Sequence, residues 1–281
     1  LIKGAEVVVS TVGPYYRFGE QVVKAAIAAK TPVVDICDDG DATEQILALD
    51  GEAKKAGISV IVGMGCTPGI TNLMAKRGAD KLDSVDDIDT SWGWTSIDPK
   101  MTGSAIIEHY FHAVTGEIIT YRDGKWIKIP ACSNPKSIEF IQPIGSLEIP
   151  EVGHPEPVTL PRYIKGVKNV TNRGGVWPKG FNDVAGIFIK LGLAETKEMD
   201  LKGSKIKARD IATAIVLALP VLAENFTLAL VDDTLQKYGD FGIEGVVLRV
   251  DVRGKKAGKA FQYSYGAGSN ADLLTALPSV L

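Results

Sequence analysis

Cysteine and histidine are both scarce in this chain, with three of each among 281 residues. Cys37, Cys66 and Cys132 lie far apart, form no CxxC pair and are odd in number. Neither a zinc ribbon nor a disulfide framework is indicated, and a reducing cytoplasm is the expected compartment. A strong charge of one sign is missing too. A formal net charge of -3 gives no bulk attraction to phosphate backbones or anionic lipid, so neither nucleic acid nor membrane is expected as a partner. The longest apolar run, 211–231, is broken by Pro220, Glu224 and Asn225, which argues against a membrane span and for one long core helix over 210–238, bent at most. Internal repeats and low-complexity tracts are absent. So is an initiating methionine, and the natural N-terminus is expected upstream of Leu1.

What is present can bury a substantial core: 45% of residues are hydrophobic and 23% charged, at a length that suits one large domain or two ordinary ones. Up to about residue 80 the pattern alternates. Strands at 6–11, 33–36 and 59–62 are each followed by a helix, at 19–30, 42–56 and 71–79. The run VVVSTV has no polar alternation and suits a strand covered on both faces. Right-handed crossovers would lay the three strands parallel with helices on either side. After residue 82 the pattern changes. VDDIDTSWGW alternates like a strand with one wet face, and EIITYRDGKWIKIP holds Asp-Gly between two strand-like runs, a strong hairpin signal. A helix is expected over 103–114, a Pro/Gly-rich surface loop over 154–179, and two β runs, GVVLRVDVRG and KAFQYSYGAG, joined by 255–258.

A βαβ start raises the question of dinucleotide binding, whose fingerprint is G-x-G-x-x-G between the first strand and its helix. In GMGCTPG, the nearest match, Gly63, Gly65 and Gly69 are spaced one residue too long, and Pro68 lacks an N–H to face a phosphate. Asp83 does stand where a ribose-binding acid would be expected. The competing reading is a strand-end turn followed by a helix start.

GPYYRFGEQVVKAAIAAKTPVVDICDD, GMGCTPGITNLMAK and GHPEPVTLPRY together resemble the saccharopine dehydrogenase family, in particular its lysine dehydrogenase-like and saccharopine reductase-like members. The resemblance covers residues 1–178 well and the rest more loosely. It implies an α/β fold: the C-terminal half of a Rossmann-type parallel sheet over 1–82, then a larger α+β domain over 83–270 with a mixed or antiparallel sheet, then the start of a segment returning to the Rossmann domain over 271–281. The three early strands would be the fourth, fifth and sixth of the sheet. The glycine fingerprint is not in this sequence, and the outer edge of the Val7 strand is expected to be bare.

The implied activity is NAD- or NADP-dependent hydride transfer at the CH–NH group of an amino acid, such as lysine or a saccharopine-like conjugate, through an imine. The rivals are a non-catalytic family member with a binding or assembly role and an imine reductase of polyamine synthesis. A small-molecule amino-acid substrate and a homodimer formed through the α+β domain are the expected partners. The choice between NAD and NADP stays open. Loops at the carboxyl ends of the strands would face the cofactor, naming Thr11, Val12, Gly13, Pro14, Ile36, Cys37, Gly65, Cys66, Pro68 and Gly69. Acid-base candidates are Asp38 and Asp39, adjacent enough for like charge to raise one pKa, although with Asp41 they equally suit a helix start. His109 and His112, three apart on one helix face, are the others. With His154 they number three, but no second-shell carboxylate is visible and no metal is expected. Substrate contacts are assigned to Tyr15, Glu156, Arg162 and Arg173, the arginines as bidentate partners of a carboxylate. Trp92, Trp94, Tyr110 and Phe111 read by default as core.

Overall fold

The computed structural model describes residues 2, 4–96, 103–242 and 244–280. The first part consists of β1 (Val8–Ser10), α1 (Tyr15–Ala29), β2 (Val33–Asp35), α2 (Gly40–Ala48), α3 (Asp50–Ala56), β3 (Val60–Ile61) and α4 (Ile70–Ala79). The three strands form a parallel sheet in the order β1-β2-β3, with Val8 opposite Val33 and Val33 opposite Val60. Tyr15, Val23 and Ala26 of α1 pack with Val33, Cys37, Ile46 and Leu49 into its core. On its other edge β1 has no partner among the described residues, and Val7 and Val9 are 50% and 40% exposed. The single helix expected over 42–56 is two. Leu49 drops into the core between them, and Asp50 and Glu52 occupy the first turn of the second, where the helix dipole favours acids.

The second part runs β4 (Ser84–Ser96), α5 (Ser104–Ala113), β5 (Glu117–Arg122), β6 (Lys125–Pro130), β7 (Ser133–Glu139), β8 (Ser146–Glu151), α6 (Glu156–Tyr163), β9 (Asn169–Val176), α7 (Lys179–Lys190), β10 (Glu198–Leu201), β11 (Ser204–Lys207), α8 (Ala208–Leu222), α9 (Glu224–Tyr238), β12 (Glu244–Lys256), β13 (Lys259–Ser269) and α10 (Ala271–Val280). An eight-stranded mixed sheet has the order β13-β12-β4-β9-β5-β6, with the β7–β8 hairpin attached through β9. β4 and β9 are parallel, and the other pairs are antiparallel. Asp123 and Gly124 close the β5–β6 hairpin with φ of 49° and 75°, both in the left-handed region that a two-residue hairpin turn demands. One face of the sheet buries Ile88, Val250 and Val252 against Ala75 and Ala79 of α4 and Leu160 of α6. Thus α4, which follows β3 in the chain, packs on the large mixed sheet. On the opposite face Val247 packs with Ile149, Trp177 and Tyr238.

Two expectations fail here. The stretch expected to be a surface loop, 154–179, holds α6 and the buried central strand β9. Pro157 lies in the first turn of α6, where proline is tolerated. Pro161 sits inside that helix without a backbone N–H, and the Pro157 carbonyl one turn earlier accepts the Trp126 indole N–H at 2.9 Å instead. In β9 the glycines make room. Gly174 pairs with Trp92, and a Cβ there would stand 2.1 Å from the Trp92 ring. The long helix expected over 210–238 is α8 and α9, meeting at 83° just after Pro220. Among the described residues no single helix is long and apolar enough to cross a membrane.

Gly174→Ala is expected to cost about 2–3 kcal/mol in urea unfolding, since the methyl group must displace a buried indole. Gly51→Ala, with nothing within 4 Å, gains up to about 1 kcal/mol in the same assay. Equal effects at the two positions would refute the packing argument.

Candidate active-site crevice

Three turns leave the carboxyl ends of β1, β2 and β3 and open onto one cavity of about 320 Å3. Thr11, Gly13, Pro14 and Tyr15 come from the first, Ile36 and Asp38 from the second, and Gly65, Cys66 and Thr67 from the third. The facing wall is built by His109 and Tyr110 of α5, by Trp92 and Trp94 of β4, and by Val246 of β12, which pairs with Trp94. His154, Glu244 and Thr275 complete it. Trp92 is held flat over Gly174, its indole N–H donating to Asn172 Oδ1 at 3.1 Å.

The turn after β3 is closed on itself. Gly65 N–H donates to the Pro68 carbonyl at 3.0 Å, and the Gly65 carbonyl accepts Ile70 N–H at 3.0 Å. Gly63 N–H goes to Asp35 Oδ1 at 2.8 Å, and Cys37 N–H to the same oxygen at 3.0 Å. Burial still pushes the Asp35 carboxyl up to about 6 against these two donors. With the Gly63, Met64 and Gly65 amides engaged and Pro68 lacking one, GMGCTPG is a poor phosphate cradle.

The charged centre lies between β2 and α5. Asp39 is 1% exposed, accepts Tyr16 N–H at 2.8 Å at the start of α1, and receives His109 Nδ1 at 2.8 Å. The neighbouring Asp38 carboxylate, its side chain 34% exposed, is 3.3 Å from the same nitrogen. Burial works against the His109 charge, but Asp38 and Asp39 outweigh it and push the imidazole up to about 9. Burial alone would raise Asp39, yet the His109 charge and hydrogen bond hold it below the usual carboxylate range. Asp38 goes the other way: burial raises it, the Asp39 charge adds to that, and His109 offsets only part. Two adjacent carboxylates are thus driven apart in acidity. Acid and base roles are separated in this way.

A second cluster supports His154. Its Nδ1 lies 2.7 Å from Glu156 Oε2, and Glu156 Oε1 accepts the Thr67 and Thr71 hydroxyls at 2.6 and 2.8 Å. Burial opposes the Glu156 charge, but His154 and the two hydroxyls hold its carboxyl below the usual range. The His154 and His109 rings meet edge to face with centroids 5.9 Å apart.

No family model matches the chain. It is 26% identical to the carboxynorspermidine synthase of Vibrio cholerae over 146 residues, 47% of this chain and 33% of that enzyme, so the match spans a third of the relative's length. Among solved structures, apo saccharopine dehydrogenase (L-Glu forming) from Saccharomyces cerevisiae superposes over 98% of this chain and 73% of its own, with a TM-score of 0.56 and 16% identity. The fold is that of saccharopine dehydrogenase. The amine dehydrogenase of Mycobacterium smegmatis matches over 98% of this chain and 70% of its own, with a TM-score of 0.39 and 10% identity. The saccharopine dehydrogenase likeness agrees with the resemblance read from the three sequence motifs, at the level of fold.

Of the residues expected at the site, Thr11, Gly13, Pro14, Tyr15, Ile36, Asp38, Gly65, Cys66 and His109 line the crevice. The Tyr15 hydroxyl is already committed, donating to the Ser10 carbonyl at 2.9 Å, and burial keeps it protonated. Asp39 lies behind Asp38, and Cys37 is buried under the strand end with its thiol near Thr43. Val12 faces outward, and Pro68 and Gly69 only close the turn. His112 stacks on Tyr16 at 4.2 Å and pairs with Asp41 away from the cavity. The structure places the remaining substrate candidates outside the crevice lining. Glu156 is fully buried and positions His154. Arg162 lies over the Trp126 ring and bonds the Val158 carbonyl. Arg173 is claimed by Glu151 at 3.1 Å and Asp89 at 3.6 Å, beyond the crevice. His154, Thr67, Glu244 and Thr275 were not expected, because their place at the cavity depends on contacts far apart in sequence. Trp92, Trp94 and Tyr110 serve as both core and wall.

Folding raises the His109 value above the ordinary 6.5, so its contribution is complete below about 6.5 and lost as the pH rises through about 9. Folding lowers that of Asp39, whose contribution is present above its usual range and lost on acidification. Unfolding free energies from urea titrations at a series of pH values are expected to fall on the alkaline side by up to about 3 kcal/mol. In His109→Gln that alkaline limb should be flat and the overall stability lower.

Proposed function

We propose that the crevice carries out hydride transfer at the CH–NH group of an amine or amino acid, with NAD or NADP as the redox partner. One observation carries this reading: open strand-end turns face an ionised His109–Asp39 pair and an Asp38 of raised pKa across a cavity wide enough for a ring and a small substrate.

The residues fit the nicotinamide end of such a cofactor. Gly13 lines the crevice without a side chain, so a flat ring could approach its backbone. They do not supply a site for the pyrophosphate. Tyr16 N–H at the start of α1 is taken by Asp39, Pro14 and Pro68 have no N–H, and Gly65 is bonded internally. Thr11, Gly13, Pro14, Ile36 and Gly65 are therefore the residues that would hold the nicotinamide, which when bound supplies the site that gives or takes hydride.

Asp38 is the proton-transfer group. It is the exposed member of the carboxylate pair and the one whose acidity is weakened. It takes the ammonium proton of the substrate, releases it to solvent, and then takes the proton lost by the water that adds to the imine. His109, kept cationic by Asp39, holds Asp38 in place and limits how far its pKa rises. Trp92 and Trp94 exclude water from one side. The reading extends to a homodimer in the cytoplasm, supported by an outer strand β13 on which Phe261 is 46% exposed.

Reduction of an imine in polyamine synthesis is favoured as a second reading by the carboxynorspermidine synthase match and by a crevice lining without lysine or arginine among the described residues.

Fluorescence titration of the protein with NADH and NADPH, followed by amine-dependent turnover, tests the proposal. Saturable binding, with turnover reduced at least a hundredfold in Asp38→Asn at nearly unchanged nucleotide affinity, is expected. Binding of neither nucleotide would leave a non-catalytic binding or assembly role as the better reading.

A further inference from the structure

A second cavity, of about 100 Å3, lies behind the crevice, where α5, α7, α8 and α9 close over the ends of β4 and β9. Its walls are apolar: Phe111, Trp177, Ala185, Val216 and Leu219 are among them. The unpartnered polar atoms of its lining residues, among those described, are Thr95 Oγ1 and Trp177 Nε1. Trp94 and Tyr110 line both this cavity and the crevice. Tyr110 is held by one long hydrogen bond, its hydroxyl donating to Asn182 Oδ1 at 3.3 Å, and Asn182 in turn bonds the end of β9 through Val176. The two spaces are separated by two half-buried aromatic side chains, one of them weakly tethered.

The polar inventory of the crevice narrows what can enter. Its described lining holds the acids Asp38 and Glu244 and the imidazoles His109 and His154, with no guanidinium or ammonium group. Both arginines that would have gripped a carboxylate are engaged elsewhere. A cationic head is accommodated next to Asp38, whereas a carboxylate would meet only the His109 imidazolium, which Asp38 and Asp39 already counter. An apolar tail needs a dry space within reach of that head.

We propose that the substrate is an amine with an unbranched apolar chain, its nitrogen at Asp38 and its chain passing between Trp94 and Tyr110 into the second cavity. This rests on the hydride-transfer reading and narrows its substrate class. An engineered apolar cavity of about 150 Å3 takes a benzene molecule, so this one admits a chain segment of roughly four carbons. Trp94 and Tyr110 then set the specificity, and Asn182 positions Tyr110.

Calorimetric titration of the full chain with n-alkylamines from ethylamine to n-octylamine tests this without requiring turnover. The Kd is expected to fall about fourfold for each methylene buried, then level off once the cavity is full. Ala185→Leu fills the cavity from α7 and should bring the levelling point forward by two or three carbons while leaving the Kd of ethylamine unchanged. Val216→Phe does the same from α8, should the first variant not fold. A Kd independent of chain length, or a length dependence that neither filling variant shortens, overturns the proposal. Length-dependent binding without nucleotide-linked turnover would remove the hydride-transfer reading and leave the cavity assignment in place; turnover with length-independent binding would do the reverse.

Discussion

A carboxylate that is 1% exposed stays ionised only where a cation and amide donors replace the water it has lost, and the site is arranged around one such group, Asp39. It joins three elements. Its own position follows β2, one oxygen takes the Tyr16 amide at the start of α1, and the other takes His109 from α5. The first contact puts a negative charge at a helix N-terminus, where the dipole welcomes it. That is the place at which other doubly wound folds put a phosphate, so satisfying Asp39 and binding an anion there exclude one another. The second contact fixes α5 over the strand ends and keeps His109 charged. Asp38, beside both, inherits a raised pKa and an open face.

Around this pair the large sheet acts as a rigid wall. Trp92 can lie flat because its neighbour across the ladder is Gly174, and Trp94 is set by its pairing with Val246 on β12. Beneath the third turn, Glu156 ties Thr67, Thr71 of α4 and His154 into one hydrogen-bonded cluster. That cluster joins the parallel sheet to α6, which packs on the mixed sheet. The two parts of the chain therefore meet through buried polar contacts at the crevice and through the apolar face of α4 nearby. Loss of a partner in either polar cluster would leave a buried charge uncompensated, which costs more than the pair itself contributes.

Much of this architecture was legible in the residues. Valine runs bounded by turn signals located the parallel strands, and Asp123-Gly124 located a hairpin. The stretch from His154 to Lys179 misled because prolines and glycines usually mark loops. Here Pro157 sits where a helix tolerates it, the carbonyl that Pro161 leaves free is satisfied by Trp126, and Gly174 is demanded by an indole eighty-two positions earlier. Such reasons are invisible until the partner is known. The site divides the same way. Asp38, Asp39 and His109 stood out by residue type, while the roles of Glu156, Arg162 and Arg173 depended on which distant groups claimed them. Arginine near a proline-rich segment suggested carboxylate recognition, but buried Glu151 and the Trp126 ring satisfy those guanidinium groups first.

The central claim is that the turns after β1, β2 and β3 hold a nicotinamide ring against the His109–Asp38 edge of the crevice. Nicotinamide mononucleotide, which omits the adenylate end that these residues do not accommodate, tests this most directly in a heteronuclear NMR titration of the isotope-labelled protein. The account predicts saturable shifts at the amides of Gly13, Tyr15, Cys66 and Thr67 and at the His109 ring. Shifts confined to other surfaces, or none at saturating ligand, would contradict it.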